Sequence, residues 1–275
     1  LQNQSVIYMK KELDEEGEVF LDPNTFSEDG TVALTSFSVS NDARYVGYGI
    51  SRGGSDWQEF FVRDIETRED LDDHLKWIKF SGMSWYKDGF FYSRYDKPEE
   101  GEELQAENKN NKVFYHKIGT PQEEDELIYR DPEHPERGFN VSVTDDESYF
   151  IITATESTTG NAFGFKKAGM NDESFQWIIS GFEKDYMPIG NQGNILYVLT
   201  NDNAPRYRLV AIDLNQPEKE NWKEVIAERE LEVLESCKLA GGRIIATYLK
   251  DAYNVSEVFD MEGNFQHEIE FPGIG

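Results

Sequence analysis

The chain is short of the residues that metal and thiol chemistry need. It has one cysteine, Cys237, in 275 residues. No intrachain disulfide can form, which fits a reducing compartment and leaves cytoplasm and periplasm both open. There are four histidines, His74, His116, His134 and His267. None lies two to four residues from another histidine or from the cysteine, so no zinc-binding spacing exists. Acid is abundant, yet no D-x-D-x-D-G calcium loop occurs. No metal and no cofactor are expected. Basic residues number 27 against 54 acidic ones, a formal charge of −27. Such a surface repels phosphate backbones and argues against nucleic-acid partners. No apolar run approaches the roughly 18 residues of a membrane span, and no signal-peptide pattern opens the chain. Helical periodicity is nearly absent too. The best candidate, residues 221–234, accommodates strands equally well.

What is present is a repeat of short strands. Turn-forming pairs sit between apolar runs at Asn41-Asp42, Asp88-Gly89, Asp145-Asp146, Gln192-Gly193 and Gly241-Gly242. Taking positions 42, 88, 146, 192 and 241 as markers, the gaps are 46, 58, 46 and 49 residues. Such residues accept the positive φ of tight hairpins, and a period of about 40–50 residues in a strand-rich chain points to propeller blades. Each unit parses as four strands. The third reads FNVSVT, SYFIITATE, NAFGFKKAG and FQWIIS; the fourth DYMPIG, NILYVLTN, YRLVAIDL and WKEVIA; the fifth VLESCKLA, GRIIATYLK, VSEVFDMEG and FQHEIEF. The second strand of each unit is expected to be apolar on both faces, as a strand sandwiched between neighbouring blades must be; in the fifth, Ile244 and Ala246 face one way, Ile245 and Leu249 the other. The fold class expected is all-β, a propeller of four-stranded blades. Five units are complete. A hairpin precedes them and FPGIG comes after, so the chain is expected to be a piece of a larger propeller, prone to aggregate through its open ends.

One string invites a catalytic reading. Gly49-Ile50-Ser51-Arg52-Gly53 matches G-x-S-x-G, the serine-hydrolase nucleophile elbow. An elbow needs a strand, a sharp turn and then a helix. The residues after Ser51 are RGGSDWQEFFVRDI, two glycines and a β-rich segment, so Ser51 reads as a hairpin residue. Arg52 also stands where a dinucleotide fingerprint needs its third glycine. His116, in KVFYHKIG, reads as a packed strand residue and His134, in DPEHPER, as a loop residue. Residues 96–111, DKPEEGEELQAENKNN, form the one low-complexity insert. They read as a solvated loop, with a loop guarding an opening as the sharper alternative.

Several stretches together resemble the propeller domain of the prolyl oligopeptidase family, serine peptidases that cut short peptides after proline. They are LQNQ (1–4), FLDPNTFSEDGTVAL (20–34), YVGYGISRGGSDW (45–57), IKFSGMSW (78–85), NKVFYHKIGTPQEEDELIY (111–129) and DPEHPERGF (131–139), and they run through the chain in the family's order. The resemblance implies a seven-bladed propeller, of which residues 1–275 cover about five and a half blades. Part of the first blade and most of the last would be missing. It also implies an α/β-hydrolase domain, absent from this chain, that carries the whole Ser-Asp-His triad. No catalytic residue is therefore expected here. The partners implied are that hydrolase domain and short peptides, with the propeller excluding folded proteins by its narrow opening.

By the same resemblance, Phe80 matches a phenylalanine lining a substrate pocket upstream of the cut, with a core position between blades as the alternative. The insert coincides with a family loop near the domain seam. Two departures stand out. Where members place a substrate-facing arginine, this chain has Thr155 or Glu156; where they place an aromatic or methionine, it has Gly138 within ERGFN. The reading that competes with a peptidase is a stand-alone propeller acting as a binding scaffold.

Overall fold

The computed structural model describes residues 3–101, 107–170 and 174–271. Among them are 22 strands and three single-turn 3-10 helices, Pro23–Thr25, Gln122–Glu124 and Lys219–Asn221, with no α-helix. The chain divides into two compact units, Leu1–Val141 and Ser142–Gly275.

The first unit opens with a two-stranded hairpin, β1 (Ile7–Met9) and β2 (Glu18–Leu21). Two four-stranded meanders come next. The first is β3 (Val32–Val39), β4 (Tyr45–Arg52), β5 (Gln58–Asp64) and β6 (Asp70–Ile78); the second is β7 (Ser84–Tyr86), β8 (Gly89–Arg94), β9 (Lys112–Lys117) and β10 (Glu126–Arg130). A third sheet begins with β11 (Gly138–Val143), at the boundary of the units, and continues as β12 (Tyr149–Thr155), β13 (Ala162–Lys167) and β14 (Gln176–Ile179). The second unit adds β15 (Tyr186–Gln192), β16 (Ile195–Thr200), β17 (Arg208–Asp213) and β18 (Lys223–Ile226), then β19 (Val233–Ala240), β20 (Arg243–Lys250), β21 (Tyr253–Phe259) and β22 (Phe265–Ile269). In every four-stranded sheet, spatial order is chain order, the arrangement of a propeller blade. The five repeats expected from the turn spacing are the five sheets. The segment 221–234, ambiguous by periodicity, is β18 and the entry to β19.

Burial explains why the strands are so apolar. In β4 every residue from Val46 to Ser51 is buried, and β8 and β16 are nearly as enclosed. Side chains on both faces then pack against flanking sheets. Phe60, Val62, Leu75 and Ile78 of one sheet meet Trp85, Phe90 and Tyr92 of the next. In the second unit, Leu199 and Leu209 meet Leu234, Ile244 and Ala246. A large apolar side chain buried in this way contributes about 1.5–3 kcal/mol. In β20 the expected double-sided burial is not met. Ile244, Ala246 and Tyr248 are buried, whereas Ile245, Thr247 and Leu249 are only half-buried. The first set packs on the β15–β18 sheet, and the second points the other way because alternate residues of a strand face opposite sides.

The turns form where their residues suggested, but by a different device. Asp42 accepts from the Arg44 amide at 3.0 Å and the Ser40 hydroxyl at 2.7 Å. Asp146 does the same with the Ser148 amide and Thr144 hydroxyl, at 3.0 and 2.9 Å. The positive φ falls on the next residue, Ala43 (55°) and Glu147 (54°). The aspartate therefore pins the loop and its neighbour takes the left-handed conformation. At Gly241 and Gly242, φ is 55° and 68°, the conformation glycine adopts without steric cost.

Candidate functional site

The connection from β6 to β7 carries Phe80. Phe80 is 64% exposed, which is not a core position. Phe80 takes φ of 55°, and Trp77, three residues earlier, takes 64°. Left-handed backbone at a bulky residue is costly and persists only where neighbours fix it. Here they do. The Asn140 side-chain amide donates to the Phe80 carbonyl at 3.4 Å, and the Ser93 amide donates to the Ser81 hydroxyl at 2.8 Å. The Tyr95 amide donates to the Trp77 carbonyl at 2.9 Å. Trp57, from the β4–β5 connection, meets the rings of Trp77 and Tyr95 edge-on at 5.7 and 6.3 Å. Trp57, Trp77 and Tyr95 thus pack together around the connection that carries Phe80.

Residues 102–106 of the expected loop 96–111 lie outside the described residues. The described part is anchored where it re-enters the sheet. The Asn110 amide donates to the Pro135 carbonyl at 2.6 Å, and the Asn111 side-chain oxygen accepts from the Phe139 amide at 2.8 Å. This ties the end of the loop to the segment leading into β11 and to the start of β11 itself, at Gly138. Thr155 closes β12, and Thr155 and Glu156 are both exposed.

A second cluster lies inside the same two sheets. His116 is fully buried, with Nδ1 2.7 Å from Asp125 Oδ1 and Nε2 2.8 Å from Asp73 Oδ1. Both ring nitrogens face carboxylate oxygens, so both carry protons and the ring is an imidazolium. Burial opposes that charge. The hydrogen bonds to Asp125 and Asp73 outweigh it and raise the histidine to about 9. The Tyr92 hydroxyl donates to Asp125 Oδ2 at 2.6 Å and the Gly119 amide to Asp73 Oδ1 at 2.7 Å. Asp73 Oδ2 is buried without a hydrogen-bond partner. His116 is the packed strand residue expected, but its partners were missed. The available signal was in β6, where Leu71, Asp73 and Leu75 alternate on one face and place an acid on the apolar side.

The remaining candidates are settled by placement. Ser51 is the penultimate residue of β4, paired with Ala33 and Gln58, and a turn through Gly53 and Gly54 leads directly into β5. The next element is a strand rather than a helix, so Ser51 is not on an elbow. His134 sits in a loop with Nδ1 2.8 Å from Asp131. Burial pushes the Cys237 thiol up to about 12, which leaves it unreactive. No metal-holding group of histidine, cysteine and acidic side chains occurs among the described residues, and none of the helices is long and apolar enough to cross a membrane.

Comparison with known proteins decides the family. The family model of the prolyl oligopeptidase N-terminal beta-propeller domain matches residues 1–275. The chain belongs to this family. The propeller is 43% identical to the prolyl endopeptidase of Elizabethkingia meningoseptica, across 100% of this chain and 39% of that protein. It is 34% identical to prolyl oligopeptidase A of Amanita bisporigera, across 96% of this chain and 39% of the relative. Among solved structures, prolyl oligopeptidase B from Galerina marginata bound to a 25mer macrocyclization substrate superposes with a TM-score of 0.90 at 28% identity, covering 100% of this chain and 42% of that one. A structure from an analysis of two prolyl endopeptidases gives 0.88 at 31% identity, with 100% and 39% covered. The propeller thus spans about two fifths of the length of the curated relatives it matches.

Proposed function

We propose that this propeller is the substrate-admitting part of a serine oligopeptidase that cuts short peptides after proline. The observation that carries the reading is Phe80, a large aromatic held out in solvent on a strained backbone, at the position the family resemblance assigns to a substrate pocket. Its ring offers a peptide side chain an apolar surface upstream of the cut bond, roughly 1.5–3 kcal/mol when fully covered. Bond chemistry falls to an α/β-hydrolase partner domain, by the serine–histidine–aspartate route with an oxyanion hole. The propeller then sets which chains reach that centre, admitting extended peptides and excluding folded proteins by size.

The test uses the parent enzyme with a chromogenic peptide carrying proline before the leaving group. Turnover, labelling by a serine-directed fluorophosphonate, and an unchanged rate in Ser51→Ala are expected. Absence of turnover and labelling, or loss of both in Ser51→Ala, contradicts the reading. Rapid cleavage of a folded protein containing an exposed proline loop contradicts the size filter.

A further inference from the structure

Lys79, immediately before Phe80, is unusual for a lysine because it is 7% exposed. Lysine is rarely buried to this degree unless its ammonium is well partnered. Its nitrogen lies 4.0 Å from the centre of the Trp57 ring, over the π face, and donates to the Asn108 side-chain oxygen at 2.9 Å. The cation is thus held between an aromatic face, where the ring quadrupole attracts it, and an amide oxygen. Both groups belong to connections other than its own. Trp57 lies between β4 and β5, and Asn108 between β8 and β9.

The consequence falls on the next residue. Left-handed φ at Phe80 persists only where the surroundings fix it. Ser81 is held by the Ser93 amide, and the Asn140 amide reaches the Phe80 carbonyl. Lys79 precedes Phe80 directly, with its ammonium seated between Trp57 and Asn108. We propose that Lys79 is a positioning residue: its seat between Trp57 and Asn108 holds Phe80 in the left-handed conformation and so fixes the direction of the exposed ring. Lys79 touches no peptide itself. The inference rests on the reading of Phe80 as a peptide contact.

Kinetics on the intact enzyme test it, with two post-proline chromogenic substrates. One ends just upstream of proline; the other extends by an apolar residue that can reach Phe80. Lys79→Met keeps the volume and removes the charge. It is expected to raise KM for the longer substrate about threefold to tenfold, with kcat and the short substrate unchanged. Lys79→Arg, which keeps a cation over the indole, is expected to return KM to within about twofold of the parent. In a Phe80→Ala background, Lys79→Met should have no further effect. Asn108→Ala, an exposed site, should give a smaller rise of the same kind, and it decides the matter should Lys79→Met fail to fold. An unchanged KM in Lys79→Met, or in Asn108→Ala if that variant stands alone, overturns the inference. So does a Lys79→Met effect that persists without Phe80. The two readings fail separately. An unchanged KM in Phe80→Ala sinks the peptide contact itself, whereas a Phe80→Ala effect with silent Lys79 and Asn108 variants sinks only the positioning role.

Discussion

The His116 cluster and the Phe80 loop are built from the same two sheets of the first unit, and they are opposites. At His116, charged groups are sealed from water, with an imidazolium between Asp73 and Asp125. At Phe80 an apolar ring is presented to water on a backbone that an ordinary loop would relax. The first arrangement joins β6 of one sheet to β9 of the next and faces no solvent. The second leaves its ring exposed to solvent. A titratable side chain with a raised pKa is therefore a poor guide to function here, because burial and pairing suffice to explain it.

Changes at the two places should separate stability from binding, and the largest effect belongs to the buried cluster. His116→Ala leaves two carboxylates in one apolar site without their cation, and an unfolding free energy lower by about 3–5 kcal/mol is expected. Thermal melting reads this directly, at about 2–4 °C per kcal/mol for a chain of this size. Next comes pH. The folded-state pKa of His116, about 9, lies above its ordinary value of 6.5. The contribution is complete below pH 6.5 and is lost as pH rises through 9. The melting temperature should fall over that window, and the fall should be shallower in His116→Gln. Gly89 lies against the same strand, and a Cβ there would come within 2.0 Å of the His116 carbonyl oxygen. Gly89→Ala should cost about 1–3 kcal/mol through forced backbone movement. Smallest is Phe80→Ala, expected to leave stability within about 0.5 kcal/mol. A destabilisation by Phe80→Ala as large as that of Gly89→Ala would erase the contrast.

Much of the fold was readable because it is written locally. Each blade turns on neighbours in sequence, as in Ser40-Asn41-Asp42 and Thr144-Asp145-Asp146, and a strand such as Leu196–Thr200 shows enclosure on both faces in its own residues. Even so, the left-handed residues were misplaced by one, because Asx-type pinning moves the strain onto Ala43 and Glu147. The half-open face of β20 was not readable. Ile245 and Leu249 look like core residues, and their burial depends on what lies beside the sheet rather than on the strand. The cluster at His116 joins residues 43 and 9 positions away, a long-range pairing that no local pattern specifies. Phe80 could be named only through the family resemblance. Its exposure and the buried cation beside it come from three connections that meet in space.

The proposed division of labour gives the propeller substrate contact and no bond chemistry. It is tested most directly by kcat and KM of Phe80→Ala in the intact enzyme, measured on a post-proline substrate long enough to reach residue 80. A raised KM with kcat preserved is expected. An unchanged KM, or a collapse of kcat with KM preserved, would contradict it.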